Sequence, residues 1–189
     1  MRPDGTRVRD LTAIMQALPY VMPKRYDAQN WAEEYLDEDA IRDYIRAKRR
    51  EGRTVTHMSL LVSAYYRAVL KNPKINYFVM NRRIYKRNHF CFSFVILKTR
   101  ADGTPDETSV KVYLEPEDTV FTVTEKIRST IEKNQNVRHN NDTDRFAKFV
   151  FGVPGLARAV FGLAGFLDRH DLLPRSIIEL SPFHTSLFV

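Results

Sequence analysis

In the stretch NHFCFSFVIL, Asn88 to Leu97, a bulky apolar side chain recurs at every second position: Phe90, Phe92, Phe94 and Ile96. A period of two is the side-chain period of a β-strand and puts all four on one face. The run TSVKVYLE repeats the pattern, with Val110, Val112 and Leu114 alternating with Ser109, Lys111 and Tyr113, and the loop ADGTPDE separates the two. Two such strands commit the chain to a sheet with one apolar face, and that face needs a cover.

Helical periodicity supplies one. Ile41, Tyr44, Ile45 and Lys48 share a face between Asp39 and Arg50, with Asp37 or Asp39 as cap and Gly52 as stop. Thr56 offers an N-cap for a second helix carried by Met58, Leu61, Val62, Tyr65 and Val69 and ended by Asn72-Pro73. A third is expected from about Thr119 to Asn134 on Val123, Ile127 and Ile131. Two more follow, capped near Asp142, broken at Gly152-Val153-Pro154 and ended by Pro174. Their apolar stretch FAKFVFGVPGLARAVFGLAGFL has too few cations for a membrane-surface helix, and its glycines suit close packing, so it is expected in a core or at a subunit interface. Phe78 to Asn81 and Ile84 to Lys86 flank a basic turn, residues 1–36 read as an irregular arm with an extended stretch around Leu18 to Met22, and SPFHTSLFV reads as a closing strand. The expected fold class is therefore α/β, or α+β layered: a mixed sheet covered by helices, in a single domain spanning residues 1–189.

Composition narrows the function classes. One cysteine among 189 residues, Cys91, excludes an internal disulfide framework and a multi-cysteine zinc site, and no metal is expected. The opening MRPDGTRVRDL has no apolar core of a secretory signal, so a cytoplasmic location is expected. The most apolar region, Phe146 to Leu167, is interrupted by Lys148, Pro154 and Arg158, which argues against a membrane span. A net charge of +7 allows a polyanionic partner. The basic clusters RAKRREGR and NRRIYKR read first as solvated surfaces, with attraction of a cofactor's phosphates as the alternative; their dispersal makes nucleic acid the least favoured partner.

Other patterns carry less. His89 and Cys91 lie two apart on a strand, but no third orienting residue accompanies them. The run from Asn140 to Asp144 lacks the glycine and glutamate of a calcium loop, and the sequon at Asn141 has no secretory context. In SPFHTSLFV a strand would put His184 and Ser186 on one side and Thr185 on the other.

Four stretches together, PYVMPKRYDAQNWAEE, THMSLLVSAYYRAVLKNPKIN, FVMNRRIYKRN and GLARAVFGLAGFLDRHDLLPRSIIELSPFHTSLFV, resemble in order the catalytic domain of 2-oxo acid dehydrogenase acyltransferases, in the short stand-alone bacterial branch that shares its fold with chloramphenicol acetyltransferase. The resemblance implies a mixed sheet flanked by helices, a homotrimer with active sites between subunits, and coenzyme A with an acyl acceptor as substrates. A family histidine in a His-x-x-x-Asp-Gly motif acts there as general base, and a strand hydroxyl supports the tetrahedral oxyanion. Carried over, Ser186 or Thr185 is the oxyanion candidate, Arg25 matches the arginine that holds the motif's aspartate, and Arg82, Arg83, Lys86 and Arg87 are candidate coenzyme A phosphate contacts. The motif itself does not occur in these 189 residues. The chain thus resembles a C-terminally incomplete copy, with the sheet's later strands and the base expected beyond Val189. The alternatives are a non-catalytic binding or assembly module of the same fold and, third, a basic nucleic-acid-binding protein.

Overall fold

The computed structural model describes residues 2–99, 105–135 and 151–189. It contains the long antiparallel pair that the alternation demands: β4 (Phe90–Thr99) against β5 (Pro105–Leu114), in register from Phe90↔Leu114 to Thr99↔Pro105. Phe90, Phe92, Phe94 and Ile96 meet Val110, Val112 and Leu114 on one buried face. Helices α3 (His57–Lys71) and α4 (Val120–Gln135) cover it, bringing Val62, Tyr66, Val69, Val123 and Ile127 into the same cluster. Burying a residue such as Phe92, fully enclosed here, stabilises by about 1.5–3 kcal/mol.

Two polar devices fix those helices over the sheet. Thr56 caps α3, its hydroxyl accepting from the Ser59 amide at 3.1 Å while Ser59 Oγ accepts from the Thr56 amide at 3.0 Å. Buried Thr124 on α4 donates to Ser59 Oγ at 2.8 Å, so the helix–helix contact contains a satisfied hydroxyl pair. The buried face of α3 is Ser59, Val62, Tyr66 and Val69. Leu61, expected inside, is 54% exposed, because that face is turned by one residue to seat Tyr66 against Phe90 at 4.6 Å between rings.

A second sheet has the order β1-β3-β2, with β1 (Gly5–Arg7) and β2 (Tyr77–Met80) both antiparallel to β3 (Arg83–Arg87). The strands therefore form two small sheets where one was expected, and β4–β5 belongs to the other one. The β2–β3 turn uses Asn81 and Arg82 at φ 47° and 57°, the left-handed pair of a two-residue hairpin turn. At Gly5 the strands approach so closely that a Cβ would lie 2.7 Å from the Phe78 ring, so only glycine fits.

Several expectations are corrected. The supposed irregular arm contains β1 and α1 (Ala13–Val21), capped by Thr12. The stretch read as extended is the end of that helix; Pro19 lies in its last turn, where it contributes no amide, and is the helix's buried residue. Helix α2 (Glu38–Arg50) matches expectation, with Asp37 accepting from the Asp39 and Ala40 amides and Gly52 at φ 75° just past the end. Helix α5 (Leu156–Arg169) has no buried residue, and among the described residues nothing within 4 Å would meet a Cβ at Gly162 or Gly165, so it is not part of the core they form. Pro174 ends nothing further on: it opens a short helix, α6 (Arg175–Leu180), as prolines do at helix starts. The closing strand shrinks to β6 (Leu187–Phe188), which pairs in parallel with β4 through Phe92↔Leu187. Before it, Pro182 lacks an amide, and the Ser181 hydroxyl and carbonyl take the Phe183 and His184 amides, so the backbone turns. The expected cap near Asp142, the Asn140–Asp144 run and the Asn141 sequon lie outside the described residues. Among the described residues no helix is long and apolar enough to cross a membrane.

Candidate functional site

The strand alternation that packs four apolar residues of β4 into the core must turn Cys91 and Ser93 the other way, together with Lys111 and Tyr113 of β5. Cross-strand pairing sets Cys91 opposite Tyr113 and Ser93 opposite Lys111. The segment from α6 to β6 lies across this second face. Lys111 Nζ clamps it, donating to the carbonyls of Ile178 at 2.8 Å and His184 at 3.1 Å. Burial pushes the Lys111 ammonium below the usual lysine range. Beside the clamp is a cavity of about 270 Å³ lined in part by Ser93, Ser109, Lys111, Tyr113, Thr130 and Asn134. Ser93 Oγ is fully buried with no hydrogen-bond partner among the described residues.

The two candidate hydroxyls sit at the end of that segment and are not equivalent. Thr185 Oγ1 donates toward the Cys91 carbonyl at 2.9 Å and the Leu187 carbonyl at 3.1 Å, so its single proton is committed to backbone. Ser186 Oγ accepts from the Cys91 amide at 3.3 Å, and the Ser186 amide donates to the Cys91 carbonyl at 2.8 Å. The Ser186 hydroxyl proton has no acceptor among the described residues. Between the two, Ser186 is the one able to donate to an incoming oxyanion.

His184 is not in a strand and does not face these hydroxyls. Its Nε2 meets Asp168 Oδ2 at 3.2 Å, and its buried Nδ1 has no partner among the described residues. Asp168 belongs to a buried ion network that the sequence did not announce. Arg2, 3% exposed, donates through Nε to Asp4 Oδ1 and through Nη2 to Asp168 Oδ1, both at 2.8 Å, and through Nη1 to the Asp168 carbonyl at 2.9 Å. Tyr85 donates to Asp171 Oδ2 at 3.0 Å. Burial pushes the Asp168 carboxyl up, but the His184 hydrogen bond and the Arg2 guanidinium outweigh it and hold the group below the usual carboxylate range. The network ties the start of the chain and the end of α5 to the turn that delivers Thr185 and Ser186. No spacing or motif marks Arg2, Asp4, Asp168 and Asp171 as partners; the nearest signal was the density of charge in a short opening segment.

The remaining sequence candidates separate. Arg25 opens a 3-10 turn, Arg25–Ala28, and its side chain lies outside the described part of the structure. Lys86 is exposed on β3. Arg87, a candidate phosphate contact, is corrected: it is 9% exposed, its guanidinium lies 4.5 Å from the Phe78 ring centre, and Asp4 is 3.7 Å away. One residue of alternation separates the buried Arg87 from the exposed Lys86. Arg82 and Arg83 are exposed and line a groove with Arg7 and Arg9. His89 does not pair with Cys91: its ring packs edge-on against Tyr113 at 5.0 Å, and the buried Cys91 sulfur lies 3.7 Å from the His184 carbonyl and from Thr185 Oγ1.

Chemically, the face offers an uncommitted hydroxyl proton and a half-buried ammonium, both suited to stabilising negative charge. No histidine among the described residues faces them as a general base, and the carboxylate lining the adjacent cavity is that of Glu179. Among the described residues no group of three His, Cys, Asp or Glu side chains is placed to hold a metal ion. No family model matches this chain, and no curated protein is significantly similar to it in sequence.

Proposed function

We propose that the chain is the leading part of a coenzyme A-dependent acyltransferase domain of the 2-oxo acid dehydrogenase type, with the chloramphenicol acetyltransferase-like fold. Its reaction passes an acyl group between a thioester and a thiol or hydroxyl acceptor through a tetrahedral oxyanion. The observation that carries this reading is the asymmetry of the two hydroxyls: Thr185 is spent on backbone, whereas Ser186 is held by the Cys91 amide with its proton free. Ser186 is assigned the oxyanion contact, Thr185 the positioning of the strand, and Arg82 and Arg83 the coenzyme's phosphates.

A homotrimer fits the surface. Phe161, Leu163 and Phe166 on α5 are each more than half exposed, and an apolar groove of about 520 Å³ runs between α2 and α3 past Leu36, Ile41, Tyr44 and Leu61. Faces of that kind are usual where a partner docks.

The test is saturable binding of acetyl-coenzyme A by equilibrium dialysis, with thiol release followed in parallel. Binding is expected and release is expected to stay at the buffer rate, because no His-x-x-x-Asp-Gly occurs in these residues. Absence of binding would sink the acyltransferase reading. Turnover that disappears in both Ser186→Ala and Thr185→Ala would show that no further base is required.

A second reading keeps the fold without the chemistry, as a binding or assembly module. It is favoured by the orientation of His184 toward Asp168, since a positioned base contributes about 10²- to 10⁴-fold in rate. Self-assembly without acetyl-coenzyme A binding would select it. Nucleic-acid binding rests on net charge alone.

A further inference from the structure

The strongest feature away from the β4–β5 pair is the groove at the tip of the β1-β3-β2 sheet, about 860 Å³, lined in part by Arg7, Arg9, Gln16, Tyr20, Arg82 and Arg83. The chain builds it from three separate segments. Pairing of β1 with β3 places Arg7 opposite Tyr85, and the Val8 amide continues the ladder to the Ile84 carbonyl at 3.0 Å, which carries Arg9 alongside Arg83. Helix α1 closes the side, its Gln16 side chain anchored to the Leu11 carbonyl at 2.8 Å and its Tyr20 ring 5.3 Å below the Arg82 guanidinium.

Four arginines therefore line one concavity, with the Arg83 side chain also hydrogen-bonded to Tyr85. Among the described residues no acidic side chain lines it, and none of the four arginines forms a salt bridge. Some other surface arginines are paired: Arg42 with Glu38, Arg46 with Asp43, Arg128 with Glu125 and Arg175 with Glu179. Arg49 and Arg50 at the end of α2 are exposed without a salt bridge among the described residues but line no such groove. The groove's arginines lack that neutralisation.

The turn adds an independent observation. Arg82 occupies the second left-handed position of the β2–β3 turn at φ 57°, where glycine is the usual residue because a Cβ is strained there. The chain tolerates that strain and stations a guanidinium at the groove mouth. Strain retained at a charged, exposed position is a mark of function.

We infer that this groove binds an oligophosphate, two or more linked phosphates, through Arg7, Arg9, Arg82 and Arg83. Guanidinium forks match phosphate oxygens two at a time, and several around one concavity suit a chain of phosphates better than a single anion. The site deepens the acyltransferase reading by adding Arg7 and Arg9 to the coenzyme's phosphate contacts and removing Lys86 and Arg87 from them; only the identity of the natural source rests on that reading.

Calorimetric titration of the 189-residue chain with inorganic tripolyphosphate, 3′-phosphoadenosine 5′-phosphate and coenzyme A checks it. Saturable binding of tripolyphosphate is expected, weakening as salt rises. Arg9→Glu and Arg83→Glu should each reduce affinity about tenfold or more, whereas reversing Arg49 and Arg50 at the end of α2 should change it less than about twofold. Arg82→Gly gives a sharper readout: it relieves the left-handed strain and should raise the melting temperature while weakening tripolyphosphate binding. No saturable binding, equal losses from the α2 reversals, or Arg82→Gly leaving affinity intact would each overturn the assignment. If tripolyphosphate binds and coenzyme A does not compete with it, the groove stands and the coenzyme reading of it fails. If coenzyme A binds with an affinity that Arg9→Glu and Arg83→Glu leave unchanged, the groove fails and the coenzyme reading survives.

Discussion

The two faces of the β4–β5 pair are built from the same twenty residues in strict alternation, yet they are held by different forces. On one, rings and branched aliphatics pack against α3 and α4, and the interactions are numerous, non-directional and mutually redundant. On the other, a lysine, a few hydroxyls and the ion network around Arg2 hold a segment with little regular structure. The first face makes the fold; the second places Ser186. Directional contacts are few and each has one geometry, so the second face should be the easier to undo selectively.

The largest expected effect is on the first face. Phe92→Ala should cost about 3–5 kcal/mol in denaturant unfolding, since the ring is fully enclosed and its neighbours are held by the sheet. Next is Arg2→Ala, expected to cost about 3 kcal/mol because buried Asp4 would keep only Arg87 at 3.7 Å and half-buried Asp168 only His184. If both variants unfold in a single transition, the two faces form one cooperative unit. A separate early loss near residues 168–189 in Arg2→Ala would show that they do not.

Lys111→Met should cost about 1–2 kcal/mol globally, the penalty of two carbonyls losing their donor. Its local effect should be greater: hydrogen exchange at the Ser186 and Val189 amides should accelerate well before that of β4 and β5. Equal acceleration on both would contradict the division between the faces.

The smallest effect concerns pH. The folded Asp168 carboxyl titrates below its unfolded range, so the unfolded chain binds more protons as pH falls. The stability from this group is present above about pH 4 and is lost as pH drops through the lower, folded value. Asp168→Asn should flatten that part of the acid unfolding curve. A curve of unchanged slope would mean that other carboxylates, such as Asp118 beside Lys126, carry the acid sensitivity.

The contrast also explains what the sequence could disclose. Periodicity is the imprint of a non-directional force on a regular backbone, so Phe90 through Ile96, the Thr56 cap and the Asn72-Pro73 stop were all legible. Even there the α3 face was read a residue out, because Leu61 and Tyr66 are both acceptable to a periodic pattern and only the position of Phe90 decides between them. The second face has no period. Arg2 meets Asp168 across 166 residues of chain, and nothing in either neighbourhood signals the pairing. The hydroxyls of Thr185 and Ser186 were visible as candidates, but which one keeps a free proton depends on how they dock on Cys91. Arg83 and Arg87 looked alike in NRRIYKR and differ because one end of β3 runs under Phe78 while the other reaches the turn.

The parallel pairing of β6 with β4 has a kinetic meaning. Strands β4 and β5 are neighbours in the chain and can zip together early, as can β2 and β3 across their two-residue turn. Leu187 and Phe92 are 95 positions apart, and closing so long a loop costs entropy before any contact repays it. Ser186 should therefore take its place among the last events of folding, on a sheet already formed. A chain interrupted at that point would have its secondary structure and most of its core, and still no oriented hydroxyl.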